Sequence, residues 1–209
     1  MLYLSPMEAC ITIINDWLKS QSALEIWGAL TTILGVYLAA KNNKWNWPIA
    51  LVGIAIYGMI FYEAKLYADM GLQFYFMATS FYGWYFWNQK SNLVEVKVRS
   101  INNREALISV IAVIVFTVML GYTLKKQTDA FFPFIDSFCA ACSIVAQFFL
   151  ARKIIENWLI WIFVNVIYVV VYINKRLDVT AGLYIILIGI AIIGYLDWRK
   201  IYRAQQKDI

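Results

Sequence analysis

Long apolar stretches separated by short polar segments divide the chain into seven candidate helices. These stretches cover about residues 24–41, 47–62, 70–88, 106–124, 134–152, 158–173 and 179–198. Several are close to the lower limit of roughly 17 residues that a helix needs to cross a bilayer. The pattern therefore predicts an all-α integral membrane protein with seven transmembrane helices. We expect residues 1–23 to form an interfacial amphipathic helix and residues 199–209 to form a polar tail.

The composition agrees with a membrane protein. Of the 209 residues, 62% are hydrophobic, 17% are aromatic and only 15% are charged, whereas about 25% are charged in a typical soluble domain. Mean hydropathy is +0.64. The net charge is +5, but in such a chain a basic excess is better explained by membrane topology than by nucleic-acid binding. We therefore expect lipid, and no nucleic acid, among the partners.

The positions of the basic residues predict the orientation in the membrane. If the seven stretches cross the membrane in turn, twelve of the eighteen Lys and Arg residues fall in segments on one side. Cytoplasmic segments of membrane proteins carry such an excess of Lys and Arg. The N-terminus is therefore predicted to lie outside the cell and the C-terminus in the cytoplasm. The polar connection at about residues 89–105 also falls on the cytoplasmic side.

The chain repeats itself at an offset of 111 residues without a gap, so that Asn46-Trp47 aligns with Asn157-Trp158. Residues 24–88 and 134–198 then form two three-helix repeats, and residues 89–124 supply a cytoplasmic loop and a linker helix. Because one extra crossing separates two odd-numbered halves, the halves run parallel in a 3+1+3 arrangement. Parallel repeats of this kind are typical of transporters that bind substrate where the halves meet.

One helical stripe combines polar and aromatic groups within the sixth apolar stretch. Its members follow at spacings of 3, 4, 3 and 4: Trp158, Trp161, Asn165, Tyr168 and Tyr172. An amide that faces lipid is costly, so Asn165 is expected to point inward. Two interpretations remain open. Asn165 could hydrogen-bond a neighbouring helix and hold the bundle together, or the stripe could form a binding face.

The positions where the repeats differ add candidates for a binding site. Four polar or large aromatic groups have no equivalent in the other half: Gln73, Gln147, Trp161 and Asn165. With Tyr168 and Trp47 as further aromatic faces, these residues are our candidate substrate-binding residues. Amides supply donors and acceptors, and aromatic rings stack on planar heterocycles and attract cations. A flat, polar or cationic small molecule is the ligand that this set predicts.

Charged residues are missing from the middle of every predicted span, and the chain has no His. Ion-coupled transporters and proton pumps usually need such residues, so the sequence favours facilitated diffusion. Cys139 and Cys142 have the spacing of a metal or redox pair, but a structural zinc site wants four ligands, and close helix packing explains them better. No cofactor and no metal are therefore expected. A membrane enzyme is the remaining alternative of another class, and a purely structural or receptor-like bundle is a third.

Three segments resemble the PnuC family of bacterial vitamin transporters. They are residues 27–48 (WGALTTILGVYLAAKNNKWNWP), residues 62–76 (YEAKLYADMGLQFYF) with SFYGWYFW after them, and residues 150–172 (LARKIIENWLIWIFVNVIYVVVY) with GYLDW near the end. The resemblance implies seven helices with a SWEET-like 3+1+3 architecture, a homotrimer in the bacterial inner membrane, and uptake of a B-vitamin precursor that a cytoplasmic kinase then traps. It also assigns substrate contacts to Gln73 and to the Trp161, Asn165 and Tyr168 motif.

Members of this family differ in their vitamin. Nicotinamide riboside, thiamine and, in a related branch, riboflavin are the substrates that the resemblance offers. Nicotinamide riboside and thiamine are both flat and cationic and both carry hydroxyl groups, so aromatic faces and amides suit either. The family resemblance favours nicotinamide riboside as the substrate, and thiamine is kept as the alternative substrate.

Overall fold

The computed structural model describes residues 23–63, 67–89, 97–127, 132–174 and 178–207. These residues form seven α-helices: α1 (Ala23–Ala40), α2 (Asn46–Glu63), α3 (Tyr67–Asn88), α4 (Asn103–Gln127), α5 (Pro133–Ala151), α6 (Asn157–Asn174) and α7 (Asp178–Lys207). The all-α class predicted from the sequence is confirmed. Residues 1–22, where we expected an interfacial helix, lie outside the described residues.

The predicted stretches match these helices within three residues at both ends, with one exception. Helix α7 continues to Lys207, so most of the predicted polar tail is helical. Hydropathy marks where the apolar surface ends, whereas the helix itself continues through residues such as Arg203 and Gln206. These residue types have good helix propensity and need no membrane.

Four of the described helices are long and apolar enough to cross a membrane: α4, α5, α6 and the Ala181–Lys207 part of α7. Two shorter apolar stretches, Ile26–Ala40 and Asn46–Ile60, lie in α1 and α2. Many large apolar side chains are exposed on the outer surface, for example Met119 at 67% and Phe74 at 60%. Such a surface is suited to lipid.

The helices pack as a ring of six with one helix outside it. Helix α2 packs between α1 and α3, and α6 packs between α5 and α7. Helix α3 contacts α5 and helix α7 contacts α1, which closes the ring. Helix α4 packs against α5. Under the offset of 111 residues, the α1–α7 contact corresponds to the α5–α3 contact, so both halves use the same helices to meet.

Two equivalent turns join α1 to α2 and α5 to α6. Asn42 and Lys153, which are related by the offset, have positive φ angles of 52° and 53°. In each turn the side-chain amide of the next helix's first residue also caps the turn. Asn46 Nδ2 donates to Asn43 O at 2.8 Å, and Asn157 Nδ2 donates to Ile154 O at 2.7 Å. The repeat in the sequence therefore corresponds to a repeat in local backbone geometry.

Four tryptophans fill the ring at the end where these turns lie, and we call Trp47, Trp87, Trp158 and Trp198 the tryptophan cluster. Trp47 and Trp87 meet edge to face with ring centroids 5.4 Å apart, and Trp158 and Trp198 do so at 5.6 Å. Trp87 and Trp198 join the two pairs at 5.8 Å. None of the four is more than 7% exposed, so this end of the ring is closed.

The segment before α4 is tied to the α5–α6 turn. Arg99 pairs with the backbone of the turn through N–H donation to Lys153 O and through acceptance from Ile155 N, both at 3.0 Å. The carboxylate of Glu156 accepts bonds from Ser100 Oγ and from Ile101 N. These contacts fix where α4 starts relative to the second half of the ring.

Candidate substrate-binding site

The α6 stripe faces the interior of the ring. The positions on the other side of α6 are 44–55% exposed: Leu159, Phe163, Val166, Val170 and Ile173. Asn165 is only 5% exposed, and Trp161, Tyr168 and Tyr172 are half-buried. The inward orientation expected for the amide of Asn165 is therefore what the structure has.

The amide of Asn165 makes no hydrogen bond with any described residue. An amide that held two helices together would bond a carbonyl or side chain of the neighbouring helix. The side-chain amides of Gln73 and Gln147 are half-buried and, like the amide of Asn165, make no hydrogen bond with any described residue. Because no such bond is made, the Asn165 amide is available to meet water or a ligand, and the arrangement favours a binding face over helix-to-helix bonding.

Tyrosine rings surround Tyr168 inside the ring. Tyr184 of α7 lies 5.1 Å from Tyr168 and 5.2 Å from Tyr172, measured between ring centroids. Tyr57 of α2 is near enough to interact with Tyr184 electrostatically. Neither Tyr57 nor Tyr184 is among the residues that the sequence predicts for the site. The repeat in the sequence could have indicated both residues, because Tyr57 aligns with the candidate Tyr168 and Tyr184 aligns with the candidate Gln73.

The two tryptophans among our candidates both lie at the tryptophan cluster. Trp161 is half-buried and packs against the cluster from the interior of the ring. Trp47 belongs to the cluster and is 0% exposed. Its ring is so close to α3 that a Cβ on Gly83 would lie 2.4 Å away. In this structure Trp47 is thus a packing residue, and a substrate contact by Trp47 stays a prediction.

Gln147 lies on the side of α5 that faces away from α4. An apolar cavity of about 510 Å³ lies between α4, α5 and α6, and α5 contributes Phe138, Cys142, Val145 and Phe149 to it. Gln147 comes two residues after Val145 and is therefore on the opposite side of the helix. That side faces the interior of the ring, at the α5 position equivalent to Val36 of α1.

Gln73 lies between α2 and α3. It lines a largely apolar cavity of about 430 Å³ together with Ile54, Gly58 and Met77, and the cavity opens at the outer surface, where Met59, Tyr62 and Phe74 are 53–64% exposed. Ile54 is the repeat equivalent of Asn165, so Gln73 and Asn165 lie at similar depth on different helices. The structure shows no direct contact between these two amides.

Ser80 is a polar interior residue that we did not predict as a site residue. It follows Gln73 by two helical turns on the same side of α3, is 0% exposed, and its hydroxyl has no partner among the described residues. The spacing of seven residues already puts Ser80 on the same side of the helix as Gln73, but a lone Ser in an apolar helix usually bonds its own backbone.

The middle of the ring is uncharged in the part of the chain that the structure describes. The ion pairs Lys41–Asp197 and Arg99–Glu105 lie at the end of the ring where the tryptophan cluster is. Cys139 and Cys142 are buried free thiols, and no group of three potential metal ligands occurs among the described residues. The interior therefore offers amides, hydroxyls and aromatic faces.

Comparisons with known proteins identify the family. The family model described as nicotinamide mononucleotide transporter matches residues 22–200. The nicotinamide riboside transporter PnuC of Escherichia coli is 31% identical to the chain, with 85% of each protein covered. The chain belongs to the PnuC family. The expected resemblance and the expected class, a membrane transporter rather than an enzyme, are therefore confirmed.

Two further similar proteins are more distant. The riboflavin/roseoflavin transporter RibM of Streptomyces davaonensis is 25% identical, with 88% of this chain and 92% of RibM covered. A crystal structure described as the vitamin B3 transporter PnuC is 24% identical, with a TM-score of 0.72 and coverage of 97% of this chain and 94% of that one. At this identity the solved structure shows the PnuC fold for this chain.

Proposed function

We propose that this protein carries nicotinamide riboside across the bacterial inner membrane by facilitated diffusion. The observation that carries the proposal is the inward amide of Asn165, which has no partner among the described residues and lies on one stripe with Trp161 and Tyr168. Family membership supports it further, because the Escherichia coli relative is named a nicotinamide riboside transporter.

The chemistry of the proposed ligand fits these side chains. A cation that leaves water for a low-dielectric interior loses hydration worth several kcal/mol, and a tryptophan or tyrosine face returns roughly 0.5–2 kcal/mol. Amide oxygens of Asn165, Gln73 and Gln147 would accept bonds from the ribose hydroxyls and the carboxamide, and their amide groups would donate in return. No buried carboxylate is needed for such a ligand.

The proposed architecture has seven membrane spans in a SWEET-like 3+1+3 arrangement of parallel repeats. The equivalent turns at Asn42 and Lys153 support it, as do the matching tryptophan pairs and the closed ring of helices. Substrate would occupy the interior between the two halves. By the distribution of basic residues, the tryptophan cluster and the C-terminus would lie on the cytoplasmic side and the N-terminus outside.

Transport of this kind needs a sink for the product. With no charged group described in the middle of the ring, we propose uncoupled transport, in which a cytoplasmic kinase phosphorylates the vitamin and so prevents its return. A homotrimer is the assembly that the family resemblance implies, and we retain it as part of the proposal. No cofactor is required.

Riboflavin is the second candidate substrate, because RibM is 25% identical over most of both proteins. Thiamine stays the alternative that the shape and charge of the interior allow. A decisive experiment measures binding of nicotinamide riboside, thiamine and riboflavin to the same purified protein by calorimetry. We expect nicotinamide riboside to bind at least tenfold more tightly than the others. Tighter binding of thiamine or riboflavin would reassign the substrate, and no binding of any vitamin would refute the proposed function.

A further inference from the structure

The two halves of the ring meet along two seams, which the repeat makes equivalent but whose side-chain contacts differ. One seam lies between α3 and α5, and the other lies between α7 and α1. In each seam, the indole of one tryptophan of the tryptophan cluster donates a hydrogen bond to a backbone carbonyl of the other half. Trp87 Nε1 donates to Ala151 O, and Trp198 Nε1 donates to Ala39 O, both at 3.1 Å. The other side-chain contacts differ between the two seams.

The α3–α5 seam is cross-linked over several helical turns. Towards the middle of the helices, the Tyr75 hydroxyl donates to Ile144 O at 2.8 Å. Two turns further along, the rings of Tyr82 and Phe148 are nearly parallel, at 8°, with centroids 6.5 Å apart. The Tyr75 hydrogen bond and the Tyr82–Phe148 ring contact lie at two different depths, so together they resist both separation and tilting of the two helices.

Arg152 strengthens the same seam at the end near the tryptophan cluster. Its guanidinium donates to the Tyr82 hydroxyl at 2.8 Å and lies 4.9 Å from the centre of the Phe86 ring. The Lys153 ammonium lies 4.5 Å from the Trp87 ring in addition. Helices α3 and α5 are thus joined by hydrogen bonds, stacking and cation–π contacts.

The α1–α7 seam has few such contacts. Among the side chains that the structure describes, only the Trp198 bond and the ion pair of Lys41 with Asp197, at 2.8 Å, bond across it. The repeat equivalents of Tyr75 and Tyr82 are Ile186 and Ile193, which are 51% and 44% exposed and face away from the ring. This seam is therefore held mainly at its end near the tryptophan cluster.

We propose that the transporter opens towards the cytoplasm along the α1–α7 seam, with the α3–α5 seam as the hinge and the Lys41–Asp197 ion pair as the latch. This inference rests on the proposed transport between the two halves. The latch side chains are 44% and 28% exposed, and water screens and competes for exposed ion pairs. Such a pair can break and re-form in every transport cycle, whereas separation of the other seam would break the contacts of Tyr75, Tyr82 and Arg152 together.

The latch is formed under ordinary conditions. The hydrogen bond and the negative charge of Asp197 raise the pKa of Lys41, so the ammonium stays charged at neutral pH. The repeat equivalent of Asp197 is Phe86, which is why the α3–α5 seam has a cation–π contact where the α1–α7 seam has an ion pair.

A reporter cysteine tests which seam opens. Val36 is half-buried and packs beside the tryptophan cluster on α1, so Val36→Cys in a background without the native cysteines reports opening towards the cytoplasm. A charged maleimide is added to the cytoplasmic face of vesicles. We expect Asp197→Asn to accelerate labelling at least threefold and the conservative Asp197→Glu to leave it unchanged. The matched control on the other seam, Arg152→Gln, should stay within twofold of the parent.

Equal acceleration by Arg152→Gln, or no acceleration by Asp197→Asn, would overturn the proposal. A second measurement does not depend on labelling. Cysteines in place of Lys41 and Asp197, joined by a short bis-maleimide, should abolish uptake, and cysteines in place of Tyr82 and Phe148 joined in the same way should leave most of it. Uptake that survives the Lys41–Asp197 cross-link would refute the latch. Because labelling needs no substrate, its outcome separates failure of this inference from failure of the proposed function.

Discussion

Asn42 and Lys153, 111 residues apart, end their helices with the same left-handed backbone, at φ 52° and 53°. In both turns the next N–H reaches back five residues, from Asn43 to Leu38 O and from Ile154 to Phe149 O, each at 2.9 Å. This is the Schellman ending of a helix, whose left-handed position suits Gly and Asn best. Asn42 therefore fits its place, whereas Lys153 occupies a strained conformation.

The left-handed backbone of Asn42 gives the first prediction. Replacement by Ala should lower the free energy of unfolding by about 1 kcal/mol, because a Cβ without a compensating polar group disfavours the left-handed region. Asn42→Gly should be close to neutral, since Asn42 Oδ1 has no hydrogen-bond partner to lose among the described residues. Unfolding in mixed micelles measures both. Equal effects of Ala and Gly would show that the side chain, not the backbone, matters here.

The close approach of α6 to Gly194 of α7 gives the second prediction. A Cβ at Gly194 would lie 2.7 Å from the Trp158 ring, and such overpacking typically costs about 1–3 kcal/mol. We expect Gly194→Ala to lower the melting temperature and Gly189→Ala, which has no neighbour within 4 Å, to maintain or raise it. The account of the tryptophan cluster fails if the two variants melt alike.

Much of this fold follows from the sequence because two independent signals agree. The length of the apolar stretches predicts the helices. The alignment of Asn46-Trp47 with Asn157-Trp158 predicts the repeat, and Asn46 and Asn157 make equivalent hydrogen bonds at the starts of α2 and α6. The helical extension to Lys207 did not follow, because hydropathy reports the solvent that a helix meets rather than where its hydrogen bonds stop.

The candidate site followed only in part. The cost of an amide in lipid correctly predicts the inward position of Asn165. The sequence does not distinguish Trp47, whose ring is enclosed by Gly83 and Trp87, from Trp161, which borders the interior. Both are tryptophans near the start of a span, and only tertiary packing separates them. Tyr184 was not predicted as a site residue, because a tyrosine near the start of a span can also anchor the helix at the membrane surface.

The role of Asn165 gives the third prediction. Asn165→Leu should weaken binding of nicotinamide riboside by on the order of 1–3 kcal/mol, the usual cost of an unsatisfied polar group on the ligand. The matched control is Val166→Leu, because Val166 is the neighbouring residue on α6 and is 46% exposed on the outer side. Calorimetry on the folded variants measures the difference. Unchanged affinity of Asn165→Leu would exclude direct contact with the ligand.

The uncharged interior gives the fourth prediction, which concerns phosphate. The described cations lie at or beyond the ends of the predicted apolar stretches, so none of the described Arg or Lys residues is in the middle of the ring to meet a phosphate. Nicotinamide mononucleotide should therefore compete for the site at least a hundredfold more weakly than the riboside, and a neutral analogue should still bind. Equal binding of the monophosphate would contradict both the assigned site and trapping by phosphorylation.

Uptake of labelled nicotinamide riboside into liposomes that contain only this protein tests facilitated diffusion most directly. The account predicts that uptake stops when the inside and outside concentrations are equal, that an imposed proton or sodium gradient does not change this endpoint, and that Asn165→Leu slows the approach to it. Accumulation above the outside concentration in response to either gradient would contradict the account.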